Sequence, residues 1–414
     1  MDLIIPSVVI VFLVLSIAYS IKKRLHPPKR TIDIESMLLH RERYAYTVLI
    51  PAHNEYTTLV STITSVINQT LKPSAIIVLD DSSDIPYTQI NETFPNVEIL
   101  RFDTRRGKAT NINYALENVV KTPYLMILDA DTRLEPKYSE RIFQEAGNFD
   151  VSYGMILPDF KFPSLYAFYR IVEYLYTHEI TKKAMSFLNA LNISGCCAIY
   201  KTQTLRELGG IPMRTATEDM DLAWIMVESG KRIVFVESSI AYTLEPTSLT
   251  DFRRQIHRWY GGFWETLKVH GGKIGDSNGL TFLISIYLGD IILFTPFWIA
   301  FLIGSFTLFL SRFHLISAFL TLISTNSFIV FFVSIWQRWF PFASNEIFAI
   351  TSLLVDISIL VVVTILKARK LKYIKNVMIG LPVYYILNWY SKFVWLKCGI
   401  VNLFSKSKGS LTWQ

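Results

Sequence analysis

The sequence predicts an α/β domain with a mostly parallel sheet, joined to transmembrane α-helices at the N-terminus and in the C-terminal part. Three observations predict it. Short, wholly apolar runs alternate with helix-period segments between residues 46 and 247, the pattern of a sheet covered on both faces. The 414-residue chain is 51% hydrophobic with a mean hydropathy of +0.32, too apolar for an ordinary soluble enzyme. The apolar residues are also clustered: Leu3 to Ile21 and long stretches between Gly279 and Leu366 are nearly free of charge. A helix needs roughly 20 such residues to cross a bilayer.

Taken in order, residues 1–21 read as a membrane helix of the signal-anchor type. Asp2 stands at its start, with no basic cluster before it, while Lys22, Lys23, Arg24, Lys29 and Arg30 follow it. That flank puts the following segment in the cytoplasm by the positive-inside rule. Residues 22–45 form a basic juxtamembrane linker, and 46–247 form the cytoplasmic domain. Within it, Tyr46–Pro51 is a buried strand, and Thr57–Gln69 carries Leu59, Ile63, Val66 and Ile67 at helical spacing. Ala75–Leu79 is a second strand, ending in Asp80, Asp81, Ser82 and Ser83. Val97–Phe102 is a third, followed by a helix from Lys108 to about Val119. Tyr124–Leu128 is a fourth, ending in Asp129-Ala-Asp131. Ligands of such sheets bind outside the carboxyl ends of the strands, where both acidic clusters stand.

The remaining charge and cysteine pattern narrows the function. The net charge of +7 sits mainly beside the hydrophobic segments, at Lys22–Arg30 and again at Lys367, Arg369, Lys370, Lys372 and Lys375. No basic stripe lies on the soluble domain, which argues against a nucleic-acid partner. Three cysteines, two of them the adjacent Cys196 and Cys197, supply neither a disulfide framework nor a zinc spacing.

Three constellations carry chemistry. Asp129 and Asp131 flank one small residue and offer hard oxygen ligands for Mg²⁺ or Mn²⁺, which is usually completed by substrate phosphates; a solvated strand-end turn accounts for the same triplet. Thr217, Glu218 and Asp219 precede a helical pattern (Met220, Leu222, Ala223, Ile225, Met226). Capping and the helix dipole explain them, as does a reactive carboxylate. Gln255, Arg258 and Trp259 lie at i, i+3 and i+4 in a helical region spanning 248–279, so they share one face. That face suits a diphosphate and a stacked sugar ring, and it equally suits an amphipathic helix at a membrane surface.

Together these pieces resemble the family 2 inverting glycosyltransferases of GT-A fold, above all the membrane β-polysaccharide synthases that make cellulose, chitin, hyaluronan and poly-N-acetylglucosamine. The resemblance rests on Ile50-Pro-Ala-His-Asn-Glu55, Leu79-Asp-Asp-Ser-Ser83, Arg106-Gly-Lys-Ala-Thr-Asn-Ile-Asn113, Asp129-Ala-Asp131, Asn192-Ile-Ser-Gly195, Thr217-Glu-Asp-Met-Asp-Leu222 and Gln255-Ile-His-Arg-Trp259, in the family's order. It implies that Pro51, Glu55, Asp80, Asp81 and Lys108 line the nucleoside and phosphate pocket, most naturally for a UDP-sugar. It implies that Asp129 and Asp131 carry the metal at the donor diphosphate, and that Gly195 and Thr217 join the substrate-binding set. Asp219 would be the general base, with Glu218 orienting beside it. Gln255, Arg258 and Trp259 would hold the diphosphate and the acceptor end of a glycan. A polyprenyl-phosphate glycosyltransferase, adding one sugar to a lipid acceptor, shares the fold and the Asp-x-Asp element but generally lacks Gln-x-x-Arg-Trp. An inactive binding subunit would not need every acidic residue to be present.

Residues 280–404 read as membrane and interfacial helices. Leu280–Leu310, Leu315–Trp336 and Ile347–Leu366 are the clearest spans, Asp290 marks a protein-facing or polar path, and Val377–Phe404 is interrupted by Pro382, Asn388, Lys392 and Lys397. Three crossings would leave Lys367–Lys375 outside; a kinked or paired segment around Pro296 would return it to the cytoplasm. Residues 405–414 form a cytoplasmic tail. The expectation is a multi-pass protein of the cell membrane, in contact with its lipids, with its catalytic domain in the cytoplasm.

Overall fold

The structure, a computed structural model, describes residues 8–25, 34–273, 275, 279–281, 284 and 345–404. Helix α1 spans Val8–Leu25, so it continues through Lys22 and Arg24 into the expected linker; α2 (Ile34–Leu39) and a 3₁₀ turn at Arg41–Tyr44 follow. The domain then runs β1 (Tyr46–Ala52), α3 (Tyr56–Ile67), β2 (Ala75–Asp80), α4 (Thr88–Thr93), β3 (Val97–Arg101), α5 (Lys108–Asn118), β4 (Tyr124–Leu128), β5 (Thr132–Leu134), α6 (Tyr138–Glu145) and β6 (Val151–Pro158). Next come α7 (Leu165–Tyr176), a π-helical turn at Thr177–Lys182, α8 (Lys183–Phe187), β7 (Cys197–Lys201), α9 (Thr202–Glu207), α10 (Glu218–Glu228), β8 (Ile233–Thr243) and α11 (Leu249–His270). Two long helices close the described chain: α12 (Asn345–Leu371) and α13 (Ile374–Phe404).

The strands form one eight-stranded sheet in the order β3-β2-β1-β4-β7-β6-β8-β5. β1 pairs in parallel with β2 and with β4, and β2 in parallel with β3. The order in which strands are added therefore reverses between β1 and β4, the kind of switch point at which such sheets leave a crevice at the strands' carboxyl ends. β7 runs antiparallel to β4 and β6, whereas β6 and β8 are parallel. The central strands β1, β2 and β4 are almost wholly buried, with Val48, Leu49, Ile50, Val78, Leu79, Met126 and Leu128 at 0% exposure. That is why they read as unbroken apolar runs and not as alternating ones. Helix α3 covers one face with Leu59, Thr62, Ile63 and Val66, four positions on one side of the helix.

The sheet's other side is completed from far along the chain. On the apolar face of helix α11, Phe252, Ile256, Phe263 and Trp264 are buried in the main core with α13 residues. Trp264 donates its indole N–H to the Trp395 carbonyl at 3.3 Å, and Tyr260 stacks on Trp395. α13 continues through Pro382 without a break. It buries Val377, Gly380, Leu387, Val394, Trp395 and Cys398, while Met378, Ile379, Ile386, Phe393 and Ile400 point outward. At Gly380 a Cβ would collide with the Phe168 carbonyl oxygen and crowd Val172 on α7. Gly380→Ala is therefore expected to cost about 1–3 kcal/mol through overpacking, seen as a lower Tm, whereas Met378→Ala on the outward face should leave Tm nearly unchanged. Equal Tm values for both would contradict this docking.

The end of α12 is tied to the domain by charge. Lys367, only 6% exposed, pairs with Glu179 and Glu237, and Lys183 meets the same two carboxylates at 2.6 and 3.2 Å. Among the described residues no helix is long and apolar enough to cross a membrane. The expected spans Leu280–Leu310 and Leu315–Trp336, with Asp290, lie outside the described residues except near Leu280, as does the 405–414 tail.

Candidate active site

The parallel strands β2, β1 and β4 end side by side, and their loops carry the acidic residues. The two carboxylates after β2 have separate tasks. Asp80 is wholly buried: it accepts the Ser83 amide at 2.9 Å and pairs with Arg101, which also donates to the Ser83 carbonyl. Its carboxylate is turned inward, where it shapes the loop that follows β2. Asp81 accepts the backbone amides of Arg106 and Gly107 at 2.7 and 3.0 Å and the Asn111 amide at 2.8 Å. It thereby fixes the loop that opens α5. Pro51 is half-buried on β1. Glu55 lies exposed before α3, its amide donating to the Tyr87 hydroxyl.

Lys108, the first residue of α5, gathers the site. Its Nζ donates to Asp129 Oδ1 at 2.7 Å and to the Gly195 carbonyl at 3.3 Å, and stands 3.4 Å from Glu218 Oε1. Burial would lower its pKa, but the carboxylates of Asp129 and Glu218 outweigh that and raise it, so it is a fixed cation. Asp131, next along the β4–β5 turn, is pushed up to about 7 by burial and by the carboxylates of Asp129 and Glu55. A divalent cation would relieve that crowding. Among the described residues no three His, Cys, Asp or Glu side chains converge to hold a metal. Two hard carboxylates at Asp129 and Asp131 fit Mg²⁺ or Mn²⁺ only as a partial site, which phosphate oxygens and water would have to complete.

Helix α10 brings the next pair. Glu218 and Asp219 occupy its first turn, where the helix dipole favours negative charge. Asp219 Oδ2 accepts the Gly195 amide at 3.0 Å, and Oδ1 accepts the Met220 amide at 2.9 Å. A Cβ on residue 195 would stand 2.7 Å from Asp219 Oδ2, so this approach requires glycine. Burial, then the Glu218 charge, push Asp219 up to about 6 against the pull of Lys108 and Arg258. Burial also raises Glu218, but Lys108 and Arg258 prevail and hold it below the usual carboxylate range. Two adjacent carboxylates are thus driven apart, one fixed as an anion and one poised as a proton acceptor. Asp221, the last acid of the motif, is structural: Arg214 grips it at 2.8 and 2.9 Å and His270 Nε2 lies 2.7 Å away, tying α10 to the end of α11. Thr217 is buried before α10.

Helix α11 is capped by Ser248, whose Oγ accepts the Asp251 amide at 3.1 Å. Arg258 is exposed, and its charge reaches Glu218 and Asp219. Gln255 accepts from Arg170 of α7 at 2.8 Å, and the Arg170 guanidinium lies 4.5 Å from the Trp259 ring centre. Sequence reasoning missed Arg170, its partner Glu173 and Glu245. Two charges three residues apart in the apolar run Leu165–Tyr176 were the available signal, since such groups are rarely buried without purpose. Glu245 is pushed up to about 8, chiefly by burial, against the opposing charge of Arg170 and the Tyr174 hydroxyl.

Residues 47–209 match the family described as Glycosyl transferase family 2. Among curated relatives, a poly-β-1,6-N-acetyl-D-glucosamine synthase of Staphylococcus epidermidis is 24% identical over 258 residues, 59% of this chain and 62% of the relative. One of Staphylococcus aureus is 26% identical over 261 residues, 61% of this chain and 60% of the relative. The chain thus spans about 60% of the length of these curated relatives. In fold it is similar to a mannosyltransferase from Pyrobaculum calidifontis, solved with GDP-Man and Mn²⁺, at a TM-score of 0.52 and 14% identity, covering 96% of this chain and 99% of that one. The matched stretch runs from β1 to just past α9 and contains the strand-end carboxylates and Lys108: residues 47–209 are a glycosyl transferase family 2 domain.

Proposed function

We propose that this protein is an inverting glycosyltransferase that moves a sugar, N-acetylglucosamine or glucose, from a UDP-sugar onto a growing β-linked glycan. The observation that carries the proposal is Asp219, held by the Gly195 amide beside Lys108 and Glu218, with its proton affinity raised to about 6. A base with that affinity is ionised at neutral pH and still takes a proton well. The acceptor hydroxyl gives its proton to Asp219 as its oxygen bonds to the anomeric carbon. The bond from that carbon to the diphosphate oxygen breaks, and the electron pair leaves with UDP. One displacement inverts the anomeric centre. Lys108, Arg258 and the Gln255 amide face the charge that grows on the leaving diphosphate. A Mg²⁺ or Mn²⁺ ion on Asp129 and Asp131 would supply Lewis-acid stabilisation of that same charge. The poly-N-acetylglucosamine synthases among the relatives support a polymer product, and the Gln255–Trp259 motif supports it over transfer of one sugar to a lipid carrier.

The same proposal assigns the protein to the cytoplasmic face of the cell membrane, in contact with lipid. The charge-free stretches between Gly279 and Leu366 and the outward apolar side chains of α13 support this assignment. Because Lys367 pairs with Glu179 and Glu237 of the catalytic domain, the chain returns at that point to the side it left, which favours an even number of crossings in between. The test is incubation of membranes holding the full chain with labelled UDP-sugars. A high-mass, carrier-free glycan formed only with Mg²⁺ or Mn²⁺ is the expected result; a single-sugar lipid product would reject the synthase reading.

A further inference from the structure

We propose that Arg170 is a positioning residue, one that sets the direction of the Gln255 amide and the seat of the Trp259 indole; the inference rests on the reading of the site just given. Arg170 stands on α7, on a different helix from the motif it serves. Its side chain is 2% exposed. Nη2 donates to Gln255 Oε1 at 2.8 Å, Nη1 donates to Glu173, and Nε lies 3.5 Å from Glu245 Oε2. Cζ sits 4.5 Å from the Trp259 ring centre and 5.4 Å from that of Phe252. Glu173 is itself held by the Tyr169 hydroxyl at 3.0 Å.

Two consequences follow from donor chemistry. A guanidinium has only hydrogens to offer, so Gln255 must turn its oxygen inward. The amide NH₂ is then left as the outward group, on the helix face shared with Arg258 and Trp259. An NH₂ donor suits an anionic phosphate oxygen; the flipped amide would present a lone pair to it. Arg170 does not itself bind the diphosphate, because it is enclosed and its charge is met by Glu173. Its planar fork also explains why arginine stands here: lysine offers a point charge and no flat face for the indole.

The test is a double-mutant cycle on the full chain in detergent, reading the Kd of UDP by calorimetry alongside kcat and KM. Arg170→Lys and Gln255→Ala are each expected to weaken UDP binding about ten- to hundredfold, the range for a lost hydrogen bond to a charged group. The double variant should be little worse than either single one, because both remove the same amide contact. Should Arg170→Lys fail to fold, Arg170→Met with Glu173→Gln and Glu245→Gln removes the stranded carboxyls and takes its place in the cycle. Additive losses, or unchanged Kd and KM in a folded Arg170 variant, would overturn the inference while leaving the proposed reaction intact. A wild-type chain that binds no UDP would overturn both.

Discussion

Asp219→Asn is expected to lower kcat by about 10³-fold, within the usual range for loss of a general base, while the Kd of UDP changes little. The asparagine keeps the size and one acceptor oxygen for the Gly195 amide but takes up no proton. For the wild-type chain, kcat/KM should rise with pH through about 6, as Asp219 ionises; the residual activity of the variant should lack that limb. Stability should move in the opposite direction to activity. The folded-state pKa of Asp219 is raised above the unfolded value of 3.8. Its contribution is therefore fully present below about pH 4 and is lost as pH rises through about 6. With metal chelated, the variant should melt above the wild type at pH 8, and that difference should vanish near pH 4. A variant as active as the wild type would remove Asp219 from the chemistry.

Asp131→Ala is expected to abolish metal-dependent release of UDP, by about 10³-fold or more, since it would remove one of the two carboxylates proposed to hold the metal at the donor diphosphate. Calorimetry should show Mn²⁺ binding to the wild type tightly only when UDP is present, and not to the variant under either condition. Asp129→Ala should fall short in a different way, because it also frees Lys108, whose Nζ now rests 2.7 Å from Asp129. Full activity of Asp131→Ala in excess chelator would reject the metal assignment.

The fold was legible where burial is uniform. The sequence reading of β1 as Tyr46–Pro51, β4 as Tyr124–Leu128 and the helix from Lys108 lies within a residue or two of the structure, because strands enclosed on both faces leave continuous apolar runs. That Asp129 and the Glu218–Asp219 pair would belong to one cluster was legible from order along the chain; the structure gathers them around Lys108 and Gly195. Other features were not, for physical reasons. Asp80 and Asp81 look alike in sequence, yet the position of Arg101, twenty-one residues on, turns Asp80 inward. Arg170, Glu173 and Glu245 meet Gln255 only because α7, α11 and the segment after β8 pack together, and no local period encodes that meeting. The π-helical turn at Thr177–Lys182 likewise has no local signature. Helix α11 read as amphipathic, correctly, but periodicity does not say whether the partner of an apolar face is lipid or protein.

The docking of α13 bears on how this chain could have been inherited. The family match ends at residue 209, yet the main core runs on through Trp224, Phe252 and Trp264 to Val394, Trp395 and Cys398. A recombination point placed after 209, or after His270, would bare Tyr169, Phe252 and Trp264 together. The unit that gene fusion or exchange can move intact therefore reaches from the first strand to the end of α13. Substitutions along α7 and α11 are then felt in a helix more than a hundred residues away, which packs on both.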